Sequence, residues 1–162
     1  MIENKDKHED EILKADAGMV MPLPYFEGLR AGFPSPAADY EHKSLDFNKD
    51  FIKHPEATYF VRVVGDSMVN AGIEEGDLCL VDRMEEMTHG SLVVAFVNGG
   101  NTVKFLDMST RDKGYIRLIP SSPNPKYKPF IVDINDEFAL QGKVIWVLKP
   151  FYNKISELCT PL

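Results

Sequence analysis

Two side chains in this chain could together do nucleophilic chemistry. Ser67 lies in the turn Gly65–Met68, directly after a run of β-branched and aromatic residues, and Lys104 lies inside the apolar run Thr102–Leu106. A serine hydroxyl is a weak nucleophile until a base removes its proton, and a lysine can be that base when burial lowers its pKa towards neutrality. The pair predicts a Ser-Lys dyad, a variant of serine-triad chemistry. Taken alone, the serine is more often an ordinary turn residue, and the lysine more often lies on a solvated face or at a sheet edge.

Attack of a serine on a carbonyl creates an oxyanion, which needs preorganised hydrogen-bond donors. The backbone N–H groups of Ser67 and Asp66 are the predicted donors, because they belong to the nucleophile's own turn. The Asp66 carboxylate could also complete a triad, but we expect it to stabilise the turn by accepting from nearby backbone amides. A carboxylate close to Lys104 would raise the pKa of the lysine and oppose its use as a base.

The elements that must position these residues are short strands. Runs of β-branched and aromatic residues between turn signals predict strands at 59–64, 78–81, 92–97, 102–106, 115–119, 130–132 and 143–148. Asn98-Gly-Gly-Asn101 predicts a two-residue hairpin with positive φ at Gly99 and Gly100, which fixes the register of the Lys104 strand. The predicted fold class is mostly β, a compact fold of bent antiparallel sheets.

The residues before position 58 predict an irregular N-terminal arm. Residues 1–16 are densely charged with a weak helical tendency, which is typical of a frayed or disordered terminus. Met19–Pro24 is short and apolar and could pair as an edge strand, and Ser44–Phe51 favours one or two helical turns. The prolines at 34 and 36 favour an extended chain between these segments.

Composition indicates a small globular protein. At 162 residues with 44% hydrophobic residues, the chain predicts one domain plus extensions. No apolar run approaches the roughly 20 residues of a membrane span, and the charged amino terminus is not a signal peptide. Cys79 is predicted to be a core residue and Cys159 to lie in a tail, so we expect no disulfide between them. The absence of a disulfide suits a reducing compartment, and we expect a cytoplasmic location. The four histidines show no metal-ligand spacing, and no metal or cofactor is predicted.

The charge of the chain argues against direct DNA binding. The formal net charge is −7, so phosphate electrostatics would oppose rather than favour binding. The residues before the first core strand are too few and too rich in proline for a helix-turn-helix. We therefore predict no sequence-specific DNA binding.

Over residues 31–150 the chain resembles the LexA/UmuD family of self-cleaving serine peptidases. The proline-rich segment AGFPSPAADY at 31–40 is the most specific part, because it separates the UmuD-type members from LexA repressors and signal peptidases. The other matching stretches are His54-Pro55, Ala57–Phe60, Gly65–Met68, Gly76-Asp77, Val81-Asp82, His89-Gly90 and Thr102–Lys104. The resemblance implies a LexA/signal-peptidase-like β-fold.

The resemblance also implies the substrate, which is the chain's own Ala31-Gly32 bond. The small side chains of Ala31 and Gly32 would let the backbone come close to Ser67. Alanine-glycine is the LexA-type pair, whereas the best-known UmuD has cysteine before the glycine. Without the dyad and the AGFPSPAADY segment at 31–40, Ala31-Gly32 would be interpreted as an ordinary linker turn. The expected segments are an arm removed by self-cleavage (1–31), an extended linker (32–57), a β-rich peptidase-like core (58–150) and a C-terminal extension (151–162).

The partners are expectations from the family alone. In the family, RecA filaments on single-stranded DNA trigger cleavage after DNA damage, and the shortened protein dimerises and joins UmuC, a Y-family polymerase, in error-prone translesion synthesis. The leading hypothesis is therefore a self-cleaving SOS-response protein whose processed homodimer is an accessory polymerase subunit. A trans-acting Ser-Lys peptidase and a non-catalytic regulatory binding module remain the alternatives.

Overall fold

The computed structural model describes residues 22–25 and 43–151. The chain forms two compact units that divide between Glu56 and Ala57. The predicted features at 1–16, at the Ala31-Gly32 bond and at 152–162, with Cys159, lie outside the described residues. Within the described ranges, no helix is long and apolar enough to cross a membrane.

The described residues of the N-terminal unit form a two-stranded ribbon and a short α-helix. Strand β1 (Pro22–Tyr25) pairs antiparallel with β2 (Lys43–Asp46), and the helix α1 (Phe47–Phe51) follows directly. The carboxylate of Asp46 caps α1 by accepting from the N–H of Lys49 at 3.1 Å. The predicted helical turn is therefore present, but it begins at Phe47 because the preceding residues pair with β1.

The second unit is built on one antiparallel sheet of seven strands. The strands are β3 (Thr58–Arg62), β4 (Leu78–Asp82), β5 (Leu92–Val97), β6 (Gly100–Asp107), β7 (Tyr115–Ile119), β8 (Phe130–Asp133) and β9 (Phe138–Leu148), and their order in the sheet is β3-β4-β9-β5-β6-β7-β8. This sheet confirms the predicted mostly-β fold class and the existence of all seven predicted strands. The C-terminal run predicted at 143–148 belongs to a longer strand, β9, which lies in the middle of the sheet.

The hairpin between β5 and β6 turns one residue earlier than predicted. Val97 pairs with Gly100, so the two turn residues are Asn98 and Gly99, which have φ values of +45° and +90°. Gly100 is the first residue of β6. The prediction of positive φ at Gly100 is wrong because asparagine also tolerates the left-handed region, and Asn-Gly suits a two-residue turn.

Strand β9 bends the sheet at two bulges. The register against β5 shifts between Val94 and Ala95, and the register against β4 shifts between Leu80 and Val81. Each shift leaves one extra residue on β9, at Gln141 and at Ile145. A bulge increases local twist and bends the strand that carries it. The two bulges therefore curl the sheet at its centre.

Hydrophobic clusters pack on both faces of the curled sheet. Successive strand residues face opposite sides, so Val94 packs in one cluster while Val93 and Ala95 pack in the other. The first cluster consists of Val63, Met68, Ile73, Cys79, Val81, Val94 and Val144, and the second of Val93, Ala95, Leu106, Leu118 and Val132. Cys79 is fully buried, as predicted for a core residue, and burial raises the pKa of its thiol to about 11.

Candidate active site

Ser67 lies in the turn that leaves the edge strand β3. The chain turns at Gly65, whose φ is +83°, and the buried Met68 then packs in the first hydrophobic cluster. Ser67 itself is half-buried. The carbonyl of Ser67 accepts a hydrogen bond from the N–H of Ser121 at 2.8 Å. The nucleophile's turn is thus held by a buried side chain on one side and by a backbone contact on the other.

Lys104 lies on β6 and its ammonium group is in contact with Ser67. Its Nζ is 2.8 Å from Ser67 Oγ, 2.8 Å from Thr102 Oγ1 and 2.9 Å from the carbonyl oxygen of Val103. Only 4% of the lysine is exposed to solvent. The structure therefore brings together the two residues that the sequence predicts as nucleophile and base, within the distance that proton transfer requires.

Burial changes the acid–base behaviour of Lys104. Removing the ammonium group from water disfavours its charged form and lowers the pKa of Lys104 from 10.5 to about 8. Its hydrogen-bond partners are two hydroxyl oxygens and one carbonyl oxygen, none of which carries a negative charge. A sizeable fraction of the lysine is therefore neutral near physiological pH, which is the state that accepts a proton.

The contact between Ser67 and Lys104 depends on the curled sheet. Three strands separate β3 from β6 in the sheet order. In a flat sheet with a strand spacing of about 4.8 Å, β3 and β6 would lie about 19 Å apart. The bulges of β9 lie between the two strands, and the bend that they produce brings the turn after β3 towards β6.

Asp66 makes its side-chain contacts away from Lys104. Its carboxylate accepts a hydrogen bond from the hydroxyl of Tyr127, and Lys126 Nζ lies 3.6 Å from the same oxygen. The Tyr127 hydrogen bond is the main cause that lowers the pKa of Asp66, and Lys126 adds to it. The expected contacts of Asp66 with neighbouring backbone amides are not its main contacts. Within the described residues, no backbone carbonyl accepts from the N–H of Asp66 or Ser67, and their role as oxyanion donors stays a prediction.

A cleft of about 250 Å³ opens beside Ser67. Its walls come from the end of β3 with the turn that follows, from β5 and from β6. The apolar lining consists of Val61, Val63, Val64, Met68, Val94 and Val103. Arg62, Asn101 and Thr102 add polar groups to the lining, and a mainly apolar cleft with a few polar groups can hold part of a peptide next to Ser67.

The sequence did not identify three residues that hold the site. Thr102 could have been found, because residues two apart on a strand share a face and its hydroxyl can therefore reach Lys104. Ser121 and Tyr127 lie in the loop between β7 and β8, far from Ser67 along the chain. No pattern in the sequence signals their contacts with the nucleophile's turn.

Comparisons with known proteins identify the family of the chain. The family described as Peptidase S24-like matches residues 24–145. Protein ImpA of Escherichia coli is 42% identical over 113 residues, which cover 70% of this chain and 74% of that protein. Protein MucA of Escherichia coli is 44% identical over 96 residues, covering 59% of this chain and 66% of MucA.

A more distant similarity connects the chain to repressors. The LexA repressor of Bordetella petrii is 38% identical over 136 residues, which cover 83% of this chain and 58% of the repressor. The family match includes both Ser67 and Lys104. On these similarities, the chain belongs to the Peptidase S24-like family, as a UmuD-like member of the LexA/UmuD group.

Proposed function

We propose that this protein cleaves its own chain between Ala31 and Gly32 by a Ser-Lys mechanism. The observation that carries the proposal is the 2.8 Å contact between Ser67 Oγ and the Nζ of a buried Lys104 whose pKa is lowered to about 8. A lysine with this environment is a usable general base, and a serine within its reach is an activated nucleophile.

The reaction proceeds in two steps. Neutral Lys104 takes the proton of Ser67 while Oγ attacks the carbonyl carbon of Ala31, and the N–H groups of Ser67 and Asp66 stabilise the oxyanion. Lys104 then gives the proton to the nitrogen of Gly32, the peptide bond breaks, and Ala31 remains as an ester on Ser67. Water, deprotonated by Lys104, hydrolyses this ester and restores the serine.

Two further features support the chain itself as the substrate. The cleft beside Ser67 has a mainly apolar lining and a volume of about 250 Å³, which can accept the small side chain of Ala31. A substrate bond in the same chain has a high effective concentration, so a modest site is sufficient for cleavage. The role of the product is proposed from the family: the 32–162 fragment forms a homodimer that serves a UmuC-type error-prone DNA polymerase in the cytoplasm, after cleavage is stimulated by RecA filaments.

Exposed apolar side chains support a protein partner for the processed form. Trp146 is 47% exposed and Phe60 is 48% exposed, and both lie on strands that border β4. Their ladder partner on β4 is in each case Leu80, so the three residues form one row across the sheet. Burying large apolar side chains of this kind is a common source of dimer stability.

Light scattering on the cleaved form measures its mass directly, and a monomer at tens of micromolar would contradict the dimer.

The cleavage proposal is tested by incubating the purified full-length chain alone and sequencing the fragments. The expected product begins at Gly32. Ser67→Ala should remain intact, and Gly32→Glu should resist cleavage while its circular dichroism stays unchanged. A product that begins elsewhere, or that still forms in Ser67→Ala, indicates an outside protease. An intact unmodified chain in all conditions, including addition of RecA filaments, would favour a non-catalytic binding module.

A further inference from the structure

The loop between β7 and β8, residues 120–129, contacts the nucleophile's turn at two points. The N–H of Ser121 donates to the carbonyl of Ser67 at 2.8 Å, and the N–H of Asn70 donates to the carbonyl of Ser121 at 2.8 Å. Six residues later in the same loop, the hydroxyl of Tyr127 donates to the carboxylate of Asp66. The loop therefore contacts both residues whose backbone groups the proposed mechanism uses.

The two ends of the turn are anchored by backbone hydrogen bonds. Upstream, the N–H and the carbonyl of Val63 pair with Asp77 and Gly76, each at 2.9 Å. Downstream, Ser67 is held by Ser121. Within the described part of the chain, no backbone–backbone hydrogen bond joins residues 64–66 to another segment. The side chain of Asp66 is therefore the point at which the middle of the turn is attached to the rest of the sheet.

The phenol of Tyr127 is well placed to fix this middle part. A Cβ atom added at Gly65 would lie 3.8 Å from the Tyr127 hydroxyl, so this hydroxyl lies beside the turn and also donates to the carboxylate of Asp66. Lys126 is a weaker partner of Asp66, because the ion pair spans 3.6 Å and both side chains are more than half exposed. The hydrogen bond from Tyr127 is also the main cause of the lowered pKa of Asp66.

We propose that Tyr127 is a positioning residue for the self-cleavage reaction, acting through Asp66. Its hydroxyl holds the Asp66 carboxylate and thereby fixes the peptide groups of Asp66 and Ser67. These groups set both the direction of the Ser67 side chain towards Lys104 and the position of the N–H donors for the oxyanion. Small displacements of such groups are costly, because donors stabilise the transition state only when they are already aimed at the oxyanion. This inference rests on the proposed self-cleavage.

The test compares Tyr127→Phe, Asp66→Ala and the double variant in the full-length chain. Each single change removes one partner of the same hydrogen bond. We expect each to slow self-cleavage about tenfold, and the double variant to be no slower than the slower single variant, since the two groups act as one unit. The pH at which the rate is half-maximal should stay unchanged, because burial lowers the pKa of Lys104 and neither substitution changes that burial.

The matched control is Tyr59→Phe. The Tyr59 hydroxyl also donates a hydrogen bond, to the carbonyl of Gln141 at 3.2 Å, so this variant likewise removes a tyrosine hydroxyl that is a hydrogen-bond donor, here on β3. It should cleave at the unmodified rate. Thermal unfolding of every variant establishes the temperature range in which all are folded, and cleavage rates are compared only there.

Three outcomes overturn the positioning role. Tyr127→Phe could cleave at the unmodified rate, Tyr59→Phe could be slowed as much as Tyr127→Phe, or the two single effects could multiply in the double variant. Any of these leaves the proposed function intact, provided that the unmodified chain cleaves. Failure of the unmodified chain to cleave contradicts the proposed function instead, so the two failures are distinguishable.

Discussion

The lowered pKa of Lys104 predicts the shape of the pH–rate profile for self-cleavage. With a pKa of about 8, the neutral lysine makes up roughly 9% of molecules at pH 7, half at pH 8 and roughly 90% at pH 9. The rate should therefore rise about tenfold per unit below pH 7 and level off above pH 9. A lysine with the ordinary pKa of 10.5 would be neutral in only about 0.03% of molecules at pH 7, about 300-fold less.

The assay follows the loss of the full-length chain with time at constant ionic strength between pH 6 and pH 10. A parallel sample of Ser67→Ala at each pH measures any cleavage that does not depend on the nucleophile. Lys104→Arg should not cleave at any pH in this range, because arginine stays protonated. Lys113→Arg, at an exposed lysine in the turn before β7, is the matched control and should follow the unmodified profile.

Two results would refute the reasoning in different ways. A rate that continues to rise about tenfold per unit beyond pH 9 would mean that burial does not depress the pKa of the base. A rate that is flat from pH 6 to pH 9 would mean that no group with the pKa of Lys104 is the base. Either result would have to be obtained with the chain still folded at the pH concerned, which circular dichroism verifies.

Three further outcomes are expected from single substitutions. Thr102→Val removes a hydrogen-bond acceptor 2.8 Å from Lys104 Nζ and should slow cleavage about tenfold. Thr102→Ser keeps the hydroxyl and should cleave at close to the unmodified rate in the same cleavage assay. Lys104→Met should raise the free energy of unfolding in urea at pH 7 by up to about 3 kcal/mol, since the pKa of Lys104 is lower in the folded state. The gain in unfolding free energy from Lys104→Met should shrink as pH rises from 8 to 10.5. In this range the unmodified chain itself becomes more stable with pH, because Lys104 binds more protons in the unfolded state than in the folded state. Gly142→Ala would place Cβ 2.6 Å from Val81 Cγ1 and should cost about 2 kcal/mol by thermal unfolding, whereas Gly100→Ala, with 3.9 Å to its nearest atom, should cost little.

The sequence predicted the features of the fold and site that depend on local pattern. Ser67 and Lys104 could be paired in advance because a serine in a turn after a strand and a lysine in an apolar run occur in a chain that resembles a family of Ser-Lys peptidases. The strands could be predicted because β-branched residues alternate with turn signals. Their sheet order could not, since β9 pairs with β4 and β5 through residues distant in sequence.

The features that the sequence did not predict depend on register and tertiary packing. A bulge appears only when two strands are aligned, so Gln141 and Ile145 look like ordinary strand residues in the sequence. Asp66 and Tyr127 are 61 residues apart, and neither has a neighbour that signals the other. The turn of the β5–β6 hairpin was placed one residue late because Asn98 and Gly100 are both compatible with a turn, and only the pairing of Val97 decides between them.

Burial of Lys104 costs folding free energy, which the rest of the fold must offset. Burying the lysine disfavours its charged form, and that penalty is what makes it a base near neutral pH. The surrounding structure compensates with two hydroxyl groups and one carbonyl as partners, and with a strand that is paired on both sides, by β5 and β7. A partner with full negative charge would raise the pKa of Lys104 and so oppose its proposed use as a base. The acidic residue in the turn that holds Ser67, Asp66, instead accepts a hydrogen bond from Tyr127, so its negative charge is not spent on stabilising the protonated form of Lys104.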